Sequence, residues 1–264
     1  MVESMTRDYL PRLEAIHGGV YRGRVVREGY QRGWGLQYGG LREKVAADPL
    51  YQHALNTARS QLGHLAEMNS MNIFLLLTFF VGRLPFGHII EFGAFRGGSA
   101  IFMGAICAEL HPWRLVYALD TFAGMPETDR RVDAHAKGDF SKTSFEEVAE
   151  AIERSGLKNV RPVKGLFEDT TPGVLQEAGT VALAHIDCDI KSACVYARRA
   201  IQPHMVKGGY IVFDDATVSS CIGATEAVEE MIHETGRFSE QIWPHFVFRH
   251  ALEDGDEPAD YSAA

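Results

Sequence analysis

From His88 onward, short apolar runs alternate with helical patterns, and this alternation constrains the fold more than any other feature. His88-Ile89-Ile90-Glu91-Phe92 reads as a strand. Residues 98–110 read as a helix, stopped by His111-Pro112 because proline disfavours helical geometry in the residue before it. A second strand falls at 113–119. The helix at 143–155 has two candidate capping boxes, Thr143/Glu146 and Ser144/Glu147. A third strand follows at 160–164. Thr171-Pro172 is expected to open a short helix, where the missing proline N–H costs nothing. Further strands fall at 181–186 and 210–213, helices at 191–201 and 223–235, and one or two closing strands within 241–249. Strands that are apolar throughout are buried on both faces, so the pattern predicts a parallel sheet with helices on each side.

The chain has 264 residues, of which 46% are hydrophobic, enough for a full core and too many for global disorder. Lys and Arg number 26 against 35 Asp and Glu, a net charge of −9. That balance disfavours nucleic acid as a partner and suits acidic clusters around a divalent cation. Cys107, Cys188, Cys194 and Cys221 form no C-x-x-C pair, so a disulfide scaffold and a zinc ribbon are both disfavoured. Buried free thiols are expected at Cys107 and Cys194. The first fifteen residues are charged throughout, unlike a secretory signal. The longest apolar stretch, 73–82, is far short of the roughly 20 residues that span a bilayer. A soluble cytoplasmic protein without membrane contact is the expectation.

Residues 1–65 read as an N-terminal extension, a possible acceptor cover and oligomer contact, with helices near 6–16 and 49–68. An aromatic, basic loop is expected between those helices, from Gly18 to Gly40. The main domain spans 66–250, and 251–264 is an acidic tail expected to fray. The stripe Ile73, Leu76, Leu77, Phe80 is expected in a core or a subunit contact.

Ligands of parallel sheets bind beyond the carboxyl ends of the strands, at the topological switch point. Acids stand at or just beyond all five expected strand ends: Glu91, Asp120, Glu168, Asp187/Asp189 and Asp214/Asp215. The turn Glu91-Phe92-Gly93-Ala94-Phe95-Arg96-Gly97-Gly98-Ser99 joins a strand to a helix whose free N–H groups face a ligand. A dinucleotide fingerprint needs G-x-G-x-x-G, but Phe95 holds the place of the middle glycine that admits a pyrophosphate. The loop therefore suits a nucleoside carrying another group, such as the amino acid end of S-adenosylmethionine (SAM). Asp120 can accept both ribose hydroxyl protons, a feature that NAD and SAM share. Neighbouring strand ends bring Asp187, Asp189, Asp214 and Asp215 together. Crowded carboxylates need a proton or a cation between them, and oxygen ligands select Mg²⁺, with Mn²⁺ or Ca²⁺ as alternatives. Helix capping alone is the competing role, clearest for Asp189.

Taken together these segments resemble the macrocin O-methyltransferase family, SAM-dependent, Mg²⁺-requiring enzymes that methylate sugar hydroxyls in antibiotic and related natural-product pathways. The resemblance rests on the glycine turn and on Ala118-Leu119-Asp120-Thr121-Phe122-Ala123-Gly124-Met125-Pro126-Glu127. It continues through Gly165-Leu166-Phe167-Glu168-Asp169-Thr170, His185-Ile186-Asp187-Cys188-Asp189 and Gly208-Gly209-Tyr210-Ile211-Val212-Phe213-Asp214-Asp215. It covers roughly residues 70–250. The implied fold is α/β, a doubly wound, mostly parallel seven-stranded sheet of the Rossmann-like class I methyltransferase type, with an N-terminal helical extension. Implied cofactor contacts are Glu91, Gly93, Phe95, Ser99, Asp120, Thr121, Phe122, Gly165, Phe167, Glu168 and Asp187. Asp187, Asp214 and Asp215 would hold the metal, and Asp189, with Asp187, would form the catalytic pair, Asp189 as general base. Cys188 departs from the glycine usual at its place, and Lys191 and Ser192 follow where the family usually has a hydrophobic or aromatic residue and then an acidic one. The implied partner is a small-molecule glycoside, and the implied assembly a homo-oligomer.

Other side chains compete for the role of base. Lys191 needs a depressed pKa, His185 reads as a core histidine, and His245 and His250 as surface or strand residues. The charged segment 123–142 is long enough for a lid or binding loop. Tyr30, Trp34 and Tyr38 suit either sugar stacking or ordinary packing. Three other functions compete: a catechol-type O-methyltransferase acting on phenols, an NAD-dependent oxidoreductase, and a non-catalytic nucleoside-binding protein. The oxidoreductase is disfavoured by Phe95 and by the lack of a Tyr-x-x-x-Lys pair. The binding protein leaves the paired carboxylates unexplained.

Overall fold

A computed structural model describes residues 22–59 and 65–250. The helix expected at 6–16, the tail 251–264, and residues 60–64 of the helix expected at 49–68 lie outside the described residues.

Five parallel strands and one antiparallel strand form a single sheet. They are β1 (His88–Phe92), β2 (Val116–Asp120), β3 (Val160–Lys164), β4 (Val181–Ile186), β5 (Met205–Phe213) and β6 (Phe246–Arg249). Their order is β3-β2-β1-β4-β5-β6, and only β6 runs against its neighbour. Among the described residues the sheet has six strands, not seven. Gln241 makes only an isolated bridge to Val247, so residues 241–249 yield one closing strand. The order reverses between β1 and β4, which opens a crevice at their carboxyl ends.

Successive side chains of a strand face opposite sides of a sheet. Ile89, Val116, Ala118, Leu183 and Val212 join one core with α3 (Pro49–Ala58), α4 (Glu67–Leu75) and α5 (Gly98–Leu110). Ile90, Phe92, Leu119, Ile186 and Phe213 join the other with α7 (Phe167–Ala178), α8 (Lys191–Ile201) and α9 (Ile222–Thr235). Burial on both faces explains why these strands lack apolar and polar alternation. Ile73, Leu76, Leu77 and Phe80 are buried in the first core. All four cysteines are buried free thiols.

Local chemistry settles several boundaries. Helix α6 (Phe145–Ser155) starts at Ser144, whose hydroxyl accepts from the Glu147 N–H. Thr143 is instead occupied in donating to the Phe95 carbonyl. Helix α7 begins at Phe167, so Pro172 sits inside it rather than opening it. Between β2 and α6, residues 123–142 form turns rather than a regular element.

The N-terminal part differs most from expectation. Residues 26–38 form a helix, α1 (Val26–Tyr38), where a loop was expected, and α2 (Leu41–Ala46) follows it. The glycines of α1 give close backbone approach: a Cβ at Gly29 would lie 1.7 Å from the Glu240 carbonyl oxygen. Glu28 and Arg32 are fully buried on the packed face. The helix expected at 49–68 ends as α3 at Ala58, with α4 starting separately at Glu67.

Candidate functional site

The crevice holds a cavity of about 490 Å³. Its walls come from the carboxyl ends of β1, β2, β4 and β5, the N-terminus of α7, the 123–142 loop and the start of α4.

Gly93 is required where β1 ends. Its φ is +97°, and a Cβ there would lie 1.7 Å from the Asp187 carbonyl oxygen. That close approach carries the turn past β4 and leaves Phe95 in the left-handed region at φ +46°. The Phe95 N–H then donates to Asp120 Oδ2 (2.8 Å), and the Phe122 N–H donates to Asp120 Oδ1 (2.7 Å). Both oxygens of this acid are thus oriented by backbone on either side of the β1/β2 edge. Burial raises the Asp120 carboxyl above its usual range, and the two N–H donors oppose the shift. Gly93, Phe95, Asp120, Thr121, Phe167, Glu168 and Asp187 line the cavity. Of the other expected cofactor residues, Phe122 is buried against Phe145, and Ser99 and Gly165 are not part of the lining. Glu91 is fully buried and bonded to His185 Nδ1 (3.0 Å) instead of facing the cavity.

Asp187, Asp189, Asp214 and Asp215 all line the same cavity. One oxygen each from Asp187, Asp214 and Asp215 lies within 4.8 Å of the others. Burial and the neighbouring carboxylates raise Asp187 well above the usual range; burial, Asp189 and Asp214 do the same to Asp215. An all-oxygen donor set in which burial and crowded charge hold protons on Asp187 and Asp215 fits a hard divalent cation. The Asp189 N–H donates to Asp215 Oδ2 (3.0 Å), and Asp189 itself is held at φ +59°. Non-glycine residues in that region cost energy and cluster at functional sites.

Asp214 behaves differently. Burial favours its protonated form, but His245 and His185 outweigh this and hold it well below the usual carboxylate range. Three side chains bond it: His245 Nε2 (2.6 Å), His185 Nε2 (3.2 Å) and the Asn69 amide (3.0 Å to each oxygen). For His185, burial opposes the charge, while its bonds to Asp214 and Glu91 push it up to about 10. It is a core histidine, as expected, yet one that fixes a site carboxylate.

His245, expected at a surface or in a strand, is fully buried beside Asp214, and burial lowers its pKa. A directional chain fixes its ring. Arg32 Nε can only donate, and it donates to Gln241 Oε1 (3.0 Å). The Gln241 amide nitrogen then donates to Asn72 Oδ1 (2.8 Å), which turns the Asn72 amide nitrogen toward His245 Nδ1 (2.9 Å). Nδ1 must accept, so Nε2 carries the proton given to Asp214. Asn69, Asn72 and Gln241 were not singled out in the sequence, and His245 was named there only as a surface or strand residue. The one available signal is Asn69-x-x-Asn72, a polar pair on one face of an apolar helix.

Lys191 pairs with Glu226 (3.3 Å) and Glu230 (3.4 Å), which raise its pKa, and it does not line the cavity; this removes it as a base. The 123–142 loop contributes Gly124, Met125, Pro126 and Phe140 to the walls. Asp133 anchors that loop by accepting from the Lys191 N–H at the start of α8 (2.9 Å). Tyr30, Trp34 and Tyr38 are exposed, stack on one another and stand outside the lining.

The family model for macrocin O-methyltransferase (TylF) matches residues 79–237, more than half of the chain. This chain belongs to the macrocin O-methyltransferase family. Among curated relatives, the 8-demethyl-8-(2,3-dimethoxy-alpha-L-rhamnosyl)-tetracenomycin-C 4'-O-methyltransferase of Streptomyces olivaceus is 33% identical over 145 residues. That match covers 51% of this chain and 55% of the relative. Mycinamicin III 3''-O-methyltransferase of Micromonospora griseorubida is 30% identical, with 54% and 59% covered. The chain thus spans somewhat over half the length of the curated relatives it matches. Among solved structures, the O-methyltransferase NovP aligns with a TM-score of 0.64 at 21% identity, over 76% of this chain and 98% of that one. CalS11, a calicheamicin methyltransferase, aligns with a TM-score of 0.59 at 20% identity, over 79% and 89%. Both place this macrocin-type chain in the Rossmann-like methyltransferase fold. Among the described residues, no helix is long and apolar enough to cross a membrane.

Proposed function

We propose that this protein transfers a methyl group from SAM to a hydroxyl of a sugar in a glycosylated natural product, with a bound divalent cation. The observation that carries the reading is the meeting, in one cavity, of the Gly93/Asp120 edge with the Asp187, Asp189, Asp214 and Asp215 carboxylates. SAM supplies an electrophilic methyl on a sulfonium. Asp187, Asp214 and Asp215 would hold Mg²⁺, which would supply positive charge that makes the acceptor's proton easier to lose.

The chain's own residues do the rest. Asp120, fixed by the Phe95 and Phe122 N–H groups, accepts the ribose hydroxyls. Phe167 at the start of α7 and Leu166 before it give an apolar wall for the adenine. The Asp189 carboxylate takes the acceptor proton, and the fixed backbone around it contributes alignment, which supplies several kcal/mol and up to roughly 7–11 in ideal cases. Met68, Val218, Trp243 and Pro244 form an apolar wall beyond the carboxylates, suited to the aglycone. That same wall favours the second reading, methyl transfer to a phenolic aglycone. We place the methyltransferase domain at residues 66–250, and the exposed stack on α1 offers a face for self-association.

Calorimetric titration with SAM and with NAD, each with and without Mg²⁺, tests the reading. SAM should release heat and NAD should not, and Asp214→Asn should abolish the metal dependence of turnover. Tight NAD binding without SAM heat overturns methyl transfer. Undiminished, metal-dependent turnover in the Asp214→Asn protein overturns the metal assignment.

A further inference from the structure

Beside the carboxylate cluster lies a second group with different donor chemistry. His135 comes from the 123–142 loop, Asp189 follows β4, and Cys221 caps α9. Cys221 Sγ is 3.3 Å from Asp189 Oδ1, His135 Nε2 is 3.7 Å from Cys221 Sγ, and His135 Nε2 is 3.7 Å from Asp189 Oδ1. A tetrahedral Zn²⁺ with bonds of about 2.0–2.3 Å to N, O and S sets its ligand atoms about 3.3–3.6 Å apart. The three atoms already stand within a few tenths of an ångström of those edges. We propose that His135, Asp189 and Cys221 form a second cation site, selective for Zn²⁺, with its fourth position open to the solvent or acceptor side.

Two further features support it. A metal-bound histidine characteristically gives its other ring N–H to a carboxylate, which fixes the ring. His135 Nδ1 lies 3.2 Å from Asp139 Oδ2, and that oxygen is itself steadied by the Ala136 N–H (3.0 Å). The charges also balance. One thiolate, one carboxylate and a neutral imidazole neutralise a divalent ion. Without metal, burial and the nearby Asp215 and Asp189 raise the Cys221 thiol, which keeps its proton and donates it to Asp189. Zn²⁺ takes the place of that proton, which leaves to buffer. A sulfur donor separates this site from the all-oxygen set of Asp187, Asp214 and Asp215, so the two select different ions.

The consequence for catalysis rests on the reading above, in which Asp189 is the base. Zn²⁺ on Asp189 Oδ1 withdraws charge from the carboxylate that would take the acceptor proton and makes it a weaker base, so it inhibits. The binding itself does not depend on that reading. The test is a Co²⁺ titration of the full chain in saturating Mg²⁺, followed by absorbance. The wild type should develop a thiolate-to-cobalt charge-transfer band that saturates at one equivalent, with visible bands of tetrahedral intensity. Cys221→Ser should abolish the charge-transfer band, and Cys188→Ser should keep it. Asp139→Asn, at a half-exposed position, should weaken Zn²⁺ binding by about 10–100-fold. Absence of the band in the wild type overturns the site without recourse to any variant, as does a band that survives Cys221→Ser. The spectrum is independent of turnover, so a failed methyl-transfer assay would leave the Zn²⁺ site standing.

Discussion

At the scale of single residues, the site depends on positions where backbone geometry leaves little choice. Gly93 combines a positive φ with contact to the Asp187 carbonyl, so it sets how closely β1 and β4 release their ends. Gly93→Ala adds a methyl where no space exists. Overpacking costs about 1–3 kcal/mol and a strained backbone of this kind about as much again. Urea unfolding should therefore place the variant about 2–6 kcal/mol below the wild type, with SAM binding weakened. A loss under about 0.5 kcal/mol, the scale of an ordinary surface substitution, would mean that the β1 and β4 ends separate freely. The turn glycine and the strand-end acids were legible in the sequence because each follows an apolar run directly. His245 and Asn72 were not, because they act through a chain of hydrogen bonds that only the fold assembles.

Elements whose buried face is apolar were read with their limits intact: β1, β3, β4, α5 and α8 match the expected spans. Helix α1 was missed for a physical reason. Its amphipathic order is inverted, with Tyr30, Trp34 and Tyr38 outward and Glu28 and Arg32 inward. Gly29 and Gly33, ordinarily helix breakers, serve close packing against residues 240–243. The charges of the buried face are paired, Arg32 with Glu240 and Arg249 with Glu28 and Glu240. A buried pair adds little net stability over an apolar one, but removing one partner leaves a stranded charge and costs about 3–5 kcal/mol. Arg32→Met should show a loss of that size in chemical denaturation. A variant as stable as the wild type would mean that α1 docks without its ion pairs. The start of α7 was misplaced because Pro172 resembles a first-turn proline, while the true start, Phe167, has no capping side chain.

Across the whole molecule, buried histidines set opposite slopes on stability against pH. Burial lowers His88, and its Nδ1 accepts the Leu115 N–H (3.0 Å), which requires an unprotonated nitrogen. Burial likewise lowers His111, which bonds the Leu77 carbonyl through Nε2 (2.8 Å). An unfolded histidine takes up a proton near pH 6.5, whereas these folded ones resist it, so the unfolded chain binds more protons below that pH. Their contribution is complete above about pH 6.5 and is lost as pH falls through the lowered folded values. His185 has the reverse sign. Its folded value, pushed up to about 10, keeps a proton that the unfolded chain has released. Its contribution is complete below about pH 6.5 and is lost as pH rises toward about 10. Unfolding free energy should therefore pass through a maximum between these limbs. His111→Gln retains a donor for the Leu77 carbonyl and should flatten the acid limb. His185→Gln should flatten the alkaline limb between about pH 7 and pH 10. Should the His185→Gln protein keep the full alkaline decline, the charge bridging Glu91 and Asp214 is not the group responsible.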